Sequence, residues 1–108
     1  MDDKYNIILN TCPDKEVAEG LASALVEKKL AACVNILPGI TSVYSWHGKI
    51  EKGKEVLLMI KTRRECYGSV EALIRELHPY ELPEIVSVSI NTALPEYLSW
   101  INENVEIK

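Results

Sequence analysis

Two β-rich runs between Ala32 and Thr62 must fold back on one another, and this constrains the fold more than any other feature of the chain. Residues 32–37 read as a strand that Pro38-Gly39 ends or bulges, and Thr41 to Trp46 resumes β character with Val43, Tyr44 and Trp46. His47-Gly48-Lys49 is a weak point, and Glu51-Lys52-Gly53-Lys54 has the polar, glycine-bearing composition of the hairpin turn. Residues 55–62 return as a strand whose near-continuous apolar run fits burial on both faces. A hairpin of this length outruns what one small sheet needs, so part of it must project as an arm. A projecting arm leaves backbone donors and acceptors open to another subunit.

The flanking segments supply the rest of a small mixed domain. Residues 5–9 (Tyr-Asn-Ile-Ile-Leu) form a short apolar strand, and Thr11-Cys12-Pro13-Asp14 turns the chain with Asp14 placed to cap a helix. Over residues 15–30, Val17, Leu21 and Leu25, with Ala18, Ala22 and Val26, recur four apart on one helical face. Gly20 weakens this helix by about 1 kcal/mol relative to alanine. Val70, Leu73, Ile74 and Leu77 define a second amphipathic helix that ends at His78 before Pro79. Residues 85–90 alternate as a half-buried strand, and Tyr97, Leu98 and Ile101 after Pro95 suggest a short last helix. The order βαββαβ plus a C-terminal helix is that of an α+β, ferredoxin-like split βαβ fold, expected as one domain over residues 1–108.

Composition excludes several function classes. A net charge of −4 argues against a nucleic-acid module, which would present a basic face. The longest apolar run, residues 56–60, is far too short to span a bilayer. The N-terminal Met-Asp-Asp-Lys-Tyr is acidic and polar, unlike a signal or transit peptide, so the cytoplasm is the expected compartment. Cys12, Cys33 and Cys66 are odd in number and widely spaced, which fits free thiols better than a disulfide framework. No phosphate-cradling loop, serine elbow or HExxH pattern is present, and nothing points to an enzyme.

The segment with the most chemistry runs from Glu76 to Pro83, Glu-Leu-His-Pro-Tyr-Glu-Leu-Pro, with Glu84 directly after it. Two prolines stiffen a loop that carries an imidazole, a phenol and carboxylates beside a strand end, where binding groups tend to sit. His78 reads in two ways, as a metal ligand or as a helix C-cap bonded to a carbonyl. Tyr44, Trp46, Glu51, Lys61, Tyr80, Glu81 and Glu84 form a second constellation. In it Lys61, Tyr80, Glu81 and Glu84 could fix a polar ligand between subunits, with Lys61 and Glu81 equally open to an intersubunit ion pair, while Tyr44, Trp46 and Glu51 suit an arm anchored on a neighbour. His47 beside Gly48 reads as a solvated turn residue, and Cys33 and Cys66 as packing residues.

Several segments together resemble the CutA divalent-cation tolerance family. They are Lys-Leu-Ala-Ala-Cys-Val-Asn (29–35), Pro-Gly-Ile-Thr-Ser-Val-Tyr-Ser-Trp (38–46), Gly-Lys-Ile-Glu (48–51), Val-Leu-Leu-Met-Ile-Lys-Thr (56–62), His-Pro-Tyr-Glu-Leu-Pro-Glu (78–84) and Tyr-Leu-Ser-Trp (97–100). The resemblance implies a ferredoxin-like protomer, a homotrimer joined through its β-hairpins, a cytoplasmic location and a role in tolerance of divalent metals, copper above all. The trimer also looks like those of PII-type signalling proteins, which take small ligands in clefts between subunits. In some relatives a first-strand cysteine joins two adjacent histidines at the end of the second helix. Here Asn10 stands in the cysteine's place and Leu77 in that of the first histidine, while His78 is retained. Cys12 lies two residues beyond Asn10 and shares its face if the strand stays extended that far, which makes His78 and Cys12 the candidate copper ligands.

Overall fold

The computed structural model describes residues 4–107. Strand β1 (Tyr5–Cys12) leads into helix α1 (Lys15–Glu27). The hairpin β2 (Cys33–Trp46) and β3 (Lys49–Arg63) follows. Helix α2 (Tyr67–Leu77), strand β4 (Ile85–Ser89) and helix α3 (Pro95–Glu103) complete the chain. The four strands form one antiparallel sheet in the order β2-β3-β1-β4. With the helices this is the ferredoxin-like arrangement expected from the sequence.

Alternation along the strands sorts the sheet into two faces. Ile8 and Cys12 of β1 and Val56, Leu58 and Ile60 of β3 point to the helix side. There they pack with Ala18, Leu21 and Leu25 of α1 and Val70 and Ile74 of α2. The opposite face carries Ile7 and Leu9, Leu57 and Met59, and Val86 and Val88 in adjacent register. Val86 and Val88 are 47% and 46% exposed, so this second apolar face stands largely uncovered in a single chain.

Local chemistry fixes the element ends. Asp14 caps α1 by accepting the Val17 N–H at 2.9 Å, as its side chain predicts. The helix stops at Glu27, three residues before the apolar pattern does. Lys29 adopts a left-handed backbone (φ 58), its N–H bonds to Val26 O, and the Leu30 N–H reaches Leu25 O. These are the two bonds of a Schellman stop, with lysine where glycine is usual.

The hairpin turn departs from expectation. Trp46 pairs with Lys49, so the turn is His47-Gly48, and the stretch Glu51-Lys52-Gly53-Lys54 lies within β3 opposite Tyr44 to Thr41. A two-residue turn whose central residues both have positive φ matches the twist of the strands it joins. His47 (φ 51) and Gly48 (φ 78) supply that geometry. Between Leu37 and Ile40 the two strands slip by one residue, and Gly39 (φ 82) absorbs the bulge. β1 ends opposite Val56, so β3 from Lys49 to Glu55 pairs with β2 alone. This two-stranded portion is the projecting arm.

Candidate functional site

The loop from His78 to Glu84 is tied to β1 at both ends. His78 is the C-cap of α2, and its backbone N–H bonds to Ile74 O at 2.8 Å. Its Nε2 lies 2.8 Å from Thr11 O and its Nδ1 accepts the Tyr80 N–H at 3.1 Å. A backbone N–H at Nδ1 and a carbonyl at Nε2 require the neutral tautomer with its proton on Nε2. At the far end Asn10 Nδ2 donates to Glu84 O at 2.8 Å. Between these anchors the Tyr80 hydroxyl donates to Glu55 Oε2 at 2.7 Å, bridging the loop to the root of the arm.

β1 remains extended to Cys12, so Cys12 does share the face of Asn10. Its Sγ lies 3.3 Å from Asn10 Oδ1, where the thiol donates, and the residue is fully buried. Burial first, and the nearby negative charges of Asp14 and Glu55 second, push the thiol up to about 11. It is therefore a protonated thiol at neutral pH, whereas metal ligation needs a thiolate. His78 and Cys12 are thus both engaged by the β1–loop network, and each would have to exchange a hydrogen bond for a metal bond. Among the described residues no group of three or more His, Cys, Asp or Glu side chains is placed to hold a metal ion.

The arm, the end of β1 and the loop enclose a cleft of about 860 Å³. Tyr44 and Trp46 line it from the arm, Tyr80, Glu81 and Glu84 from the loop, and Glu55 from β3. Tyr80 is held between Glu55 and the His78 ring, whose centroid is 4.7 Å away. Burial and the Glu55 carboxylate raise its phenol well above the usual tyrosine range, so it stays a neutral donor. The structure brings Tyr44, Trp46, Tyr80, Glu81 and Glu84 together but leaves out two members of the expected set. Lys61 is on the open sheet face, its Nζ 5.7 Å from the Tyr97 ring centroid, and Glu51 sits on the exposed part of the arm opposite Tyr44. Glu55 and Asn10 were not foreseen as site residues. Glu55 carries no signal beyond opening an apolar strand, whereas Asn10 stands in the place of the relatives' first-strand cysteine as a polar residue after an apolar run.

The profile of the CutA1 divalent ion tolerance protein family matches residues 6–104. The chain belongs to that family. It is 46% identical over 98 residues to the divalent-cation tolerance protein CutA of Thermus thermophilus, covering 91% of this chain and 95% of that one. It is 50% identical over 95 residues to a CutA homologue of Xenopus laevis, covering 88% of this chain and 63% of the relative. In Mus musculus the covered share of the relative is 54%, so the chain spans little more than half the length of such animal CutA proteins. Among solved structures, the Thermus thermophilus divalent cation tolerance protein superposes with a TM-score of 0.92 at 44% identity, over 94% of this chain and 99% of that one. The periplasmic divalent cation tolerance protein CutA of Archaeoglobus fulgidus does so with the same TM-score at 45% identity, again over 94% and 99%.

Proposed function

We propose that the chain works as a cytoplasmic, non-enzymatic homotrimer in divalent-cation tolerance, binding the cation, copper first, through ligands contributed by more than one subunit. The observation that carries the assembly is the uncovered second face of the sheet together with the two-stranded arm. An isolated two-stranded ribbon is at best marginally stable in water, and an apolar sheet face is a surface that another chain covers. Val43 and Ile50 on the arm are 65% and 76% exposed in a single chain, which fits an arm laid against a neighbour. Membership of a family named for divalent ion tolerance supports the cation role. Shared ligation follows from the commitments within one chain. His78 is held by two backbone groups, Cys12 is a buried thiol, and the other imidazole, His47, is exposed at the tip of the arm.

Native mass spectrometry of the reduced protein with limiting Cu(II), and separately Cu(I), tests both parts. A trimer that takes up copper, and takes up less as His47→Ala than as His78→Ala, supports the reading. A monomer overturns the assembly, and a trimer that stays bare overturns the cation site. Compartment is tested by fractionation of the source cells. Recovery with periplasmic or other exported proteins would refute the cytoplasmic assignment.

A further inference from the structure

Beyond α3 the chain forms a strap across one end of the helix-side core. The helix closes at Glu103, where the Asn104 N–H bonds to Ile101 O at 3.1 Å. The residues that follow run without regular structure over the connection between α1 and β2. The Glu106 N–H donates to Lys29 O at 2.8 Å, and Glu106 O accepts the Cys66 thiol at 3.7 Å. Val105 packs, half-buried, against the core between the sheet and the first two helices. Under this cover Cys66 is only 1% exposed, whereas Glu106 and Ile107 face solvent. The strap thus joins two separate elements. Lys29 is the left-handed stop after α1, and Cys66 ends the single 3-10 turn that leads into α2. All of this lies on the helix side of the sheet, apart from the arm and the open face through which subunits are proposed to meet.

The hold on the strap is small beside that on the elements it crosses. Among the described residues, these two hydrogen bonds and the half-buried Val105 fasten it. Lifting it breaks no strand pairing and no helical turn, so the rest of the fold stays intact as it opens. Segments with few buried contacts at the end of a domain open at much lower free energy than its core. Cys12 has no such exit. It is just as buried, but it pairs with Val56 in the ladder between β1 and β3, and uncovering it takes the sheet apart. We propose that the strap is a latch that opens alone, with sheet and helices in place, and so decides when the Cys66 thiol meets solvent. The Lys29 carbonyl is its catch and Val105 its anchor. A thiol reacts only where a reagent can reach it. The latch therefore makes Cys66 a conditional thiol, whereas Cys12 stays silent until the chain unfolds. This device is independent of the cation role and of the number of subunits.

Pulse alkylation of the reduced full chain with iodoacetamide, followed by peptide mapping, reads each thiol separately. Cys66 is expected to react about tenfold or more faster than Cys12. Its rate should stay constant in urea below the unfolding transition, because a strap exposes little surface, while the Cys12 rate rises with urea. Glu106→Pro removes the donor to Lys29 O, and Val105→Ala trims the anchor. Each should speed alkylation of Cys66 by about two- to tenfold, the worth of one hydrogen bond or of a pair of half-buried methyl groups, and leave Cys12 unchanged. Glu106→Ala keeps both backbone bonds and should alter neither rate. Native masses and circular dichroism of every variant guard against a change of assembly or fold. Equal rates for Cys66 and Cys12 with one urea dependence overturn the proposal, since the strap would then open only with the whole chain. So does a Cys66 rate that neither Glu106→Pro nor Val105→Ala changes, which would mean that reagent reaches the thiol by another route. Failure of Cys66 to react at all before global unfolding overturns it as well.

Discussion

At the scale of single residues, His78 and Cys12 show how a metal-capable side chain can be used structurally. The imidazole closes α2 onto β1 through Thr11 O and supports the next loop through the Tyr80 N–H. His78→Ala leaves a buried carbonyl and an amide without partners, at a cost of about 1–3 kcal/mol. Denaturant unfolding at fixed protein concentration measures this, and repeating it with copper separates the two roles. If copper stabilises wild type and His78→Ala equally, the imidazole is structural. If the stabilisation disappears in the variant, His78 is a ligand. Cys12 yields a pH signature. Its thiol titrates near 9.0 when unconstrained and at about 11 in the fold, so the native state holds the extra proton between those values. Stability is therefore complete below pH 9 and falls as pH rises toward 11, by no more than about 2–3 kcal/mol from this group. Cys12→Ala should flatten the profile from pH 9, while the raised Tyr80 and Tyr67 phenols still lower stability from their ordinary value of 10.0 upward. An unchanged slope in the variant would mean that the thiol is not what the folded state protects.

At the scale of elements, backbone conformation explains both what the sequence revealed and what it hid. The periodic helices, the Asp14 cap and the alternating β4 were legible because each is written in adjacent side chains. The turn was not, because two glycine-bearing polar segments, His47-Gly48 and Lys52-Gly53, compete for it and composition favours the second. Register decides between them, since Trp46 opposite Lys49 places both positive-φ residues at 47 and 48. Substitution separates the two glycines. Gly48→Ala forces a Cβ into a left-handed turn and should destabilise by about 1–2 kcal/mol. Gly53→Ala meets open space in a strand, so it should be neutral or stabilising by up to about 1 kcal/mol. The end of α1 was hidden for a similar reason, because a lysine in the left-handed stop position leaves no glycine to read. Lys29→Gly should stabilise by about 1 kcal/mol, and a loss of stability instead would show that this stop is not strained. The cleft was legible as a list of residues but not as a place. Tyr80, Glu81 and Glu84 share a loop, whereas Glu55 joins them only because β1 ends at Val56 and the arm continues past it. Lys61 seemed to belong with them in sequence and shares the sheet face of Glu55, yet it lies opposite Ile7, far along β3 from the cleft and beside the Tyr97 ring.

At the scale of the whole molecule, the imbalance between the two sheet faces sets the strongest expectation. One face is closed by α1 and α2, with Ile8, Leu58 and Ile60 fully buried. The other presents Ile7, Leu9, Leu57, Met59, Val86 and Val88 without comparable cover. Two mechanisms could keep such a chain in solution, self-association or tolerance of an exposed apolar patch, and one substitution distinguishes them. Val88 stands opposite Ile7 on the open face, outside the core, so Val88→Glu leaves the helix-side packing untouched. If that face is buried between subunits, each copy would have to bury an unpaired carboxylate, a penalty of about 3–5 kcal/mol that weakens association more than a hundredfold. The expected outcome is a folded, lower-order species by native mass, with a circular dichroism spectrum like that of the wild type. Apparent stability should then fall and lose its dependence on protein concentration, because association no longer contributes to it. A variant that keeps the wild-type mass and stability would place the subunit contacts elsewhere, on the arm alone. Val43→Glu on the arm would then be the variant that dissociates the assembly, since Val43 lies far along the hairpin and faces solvent in the single chain.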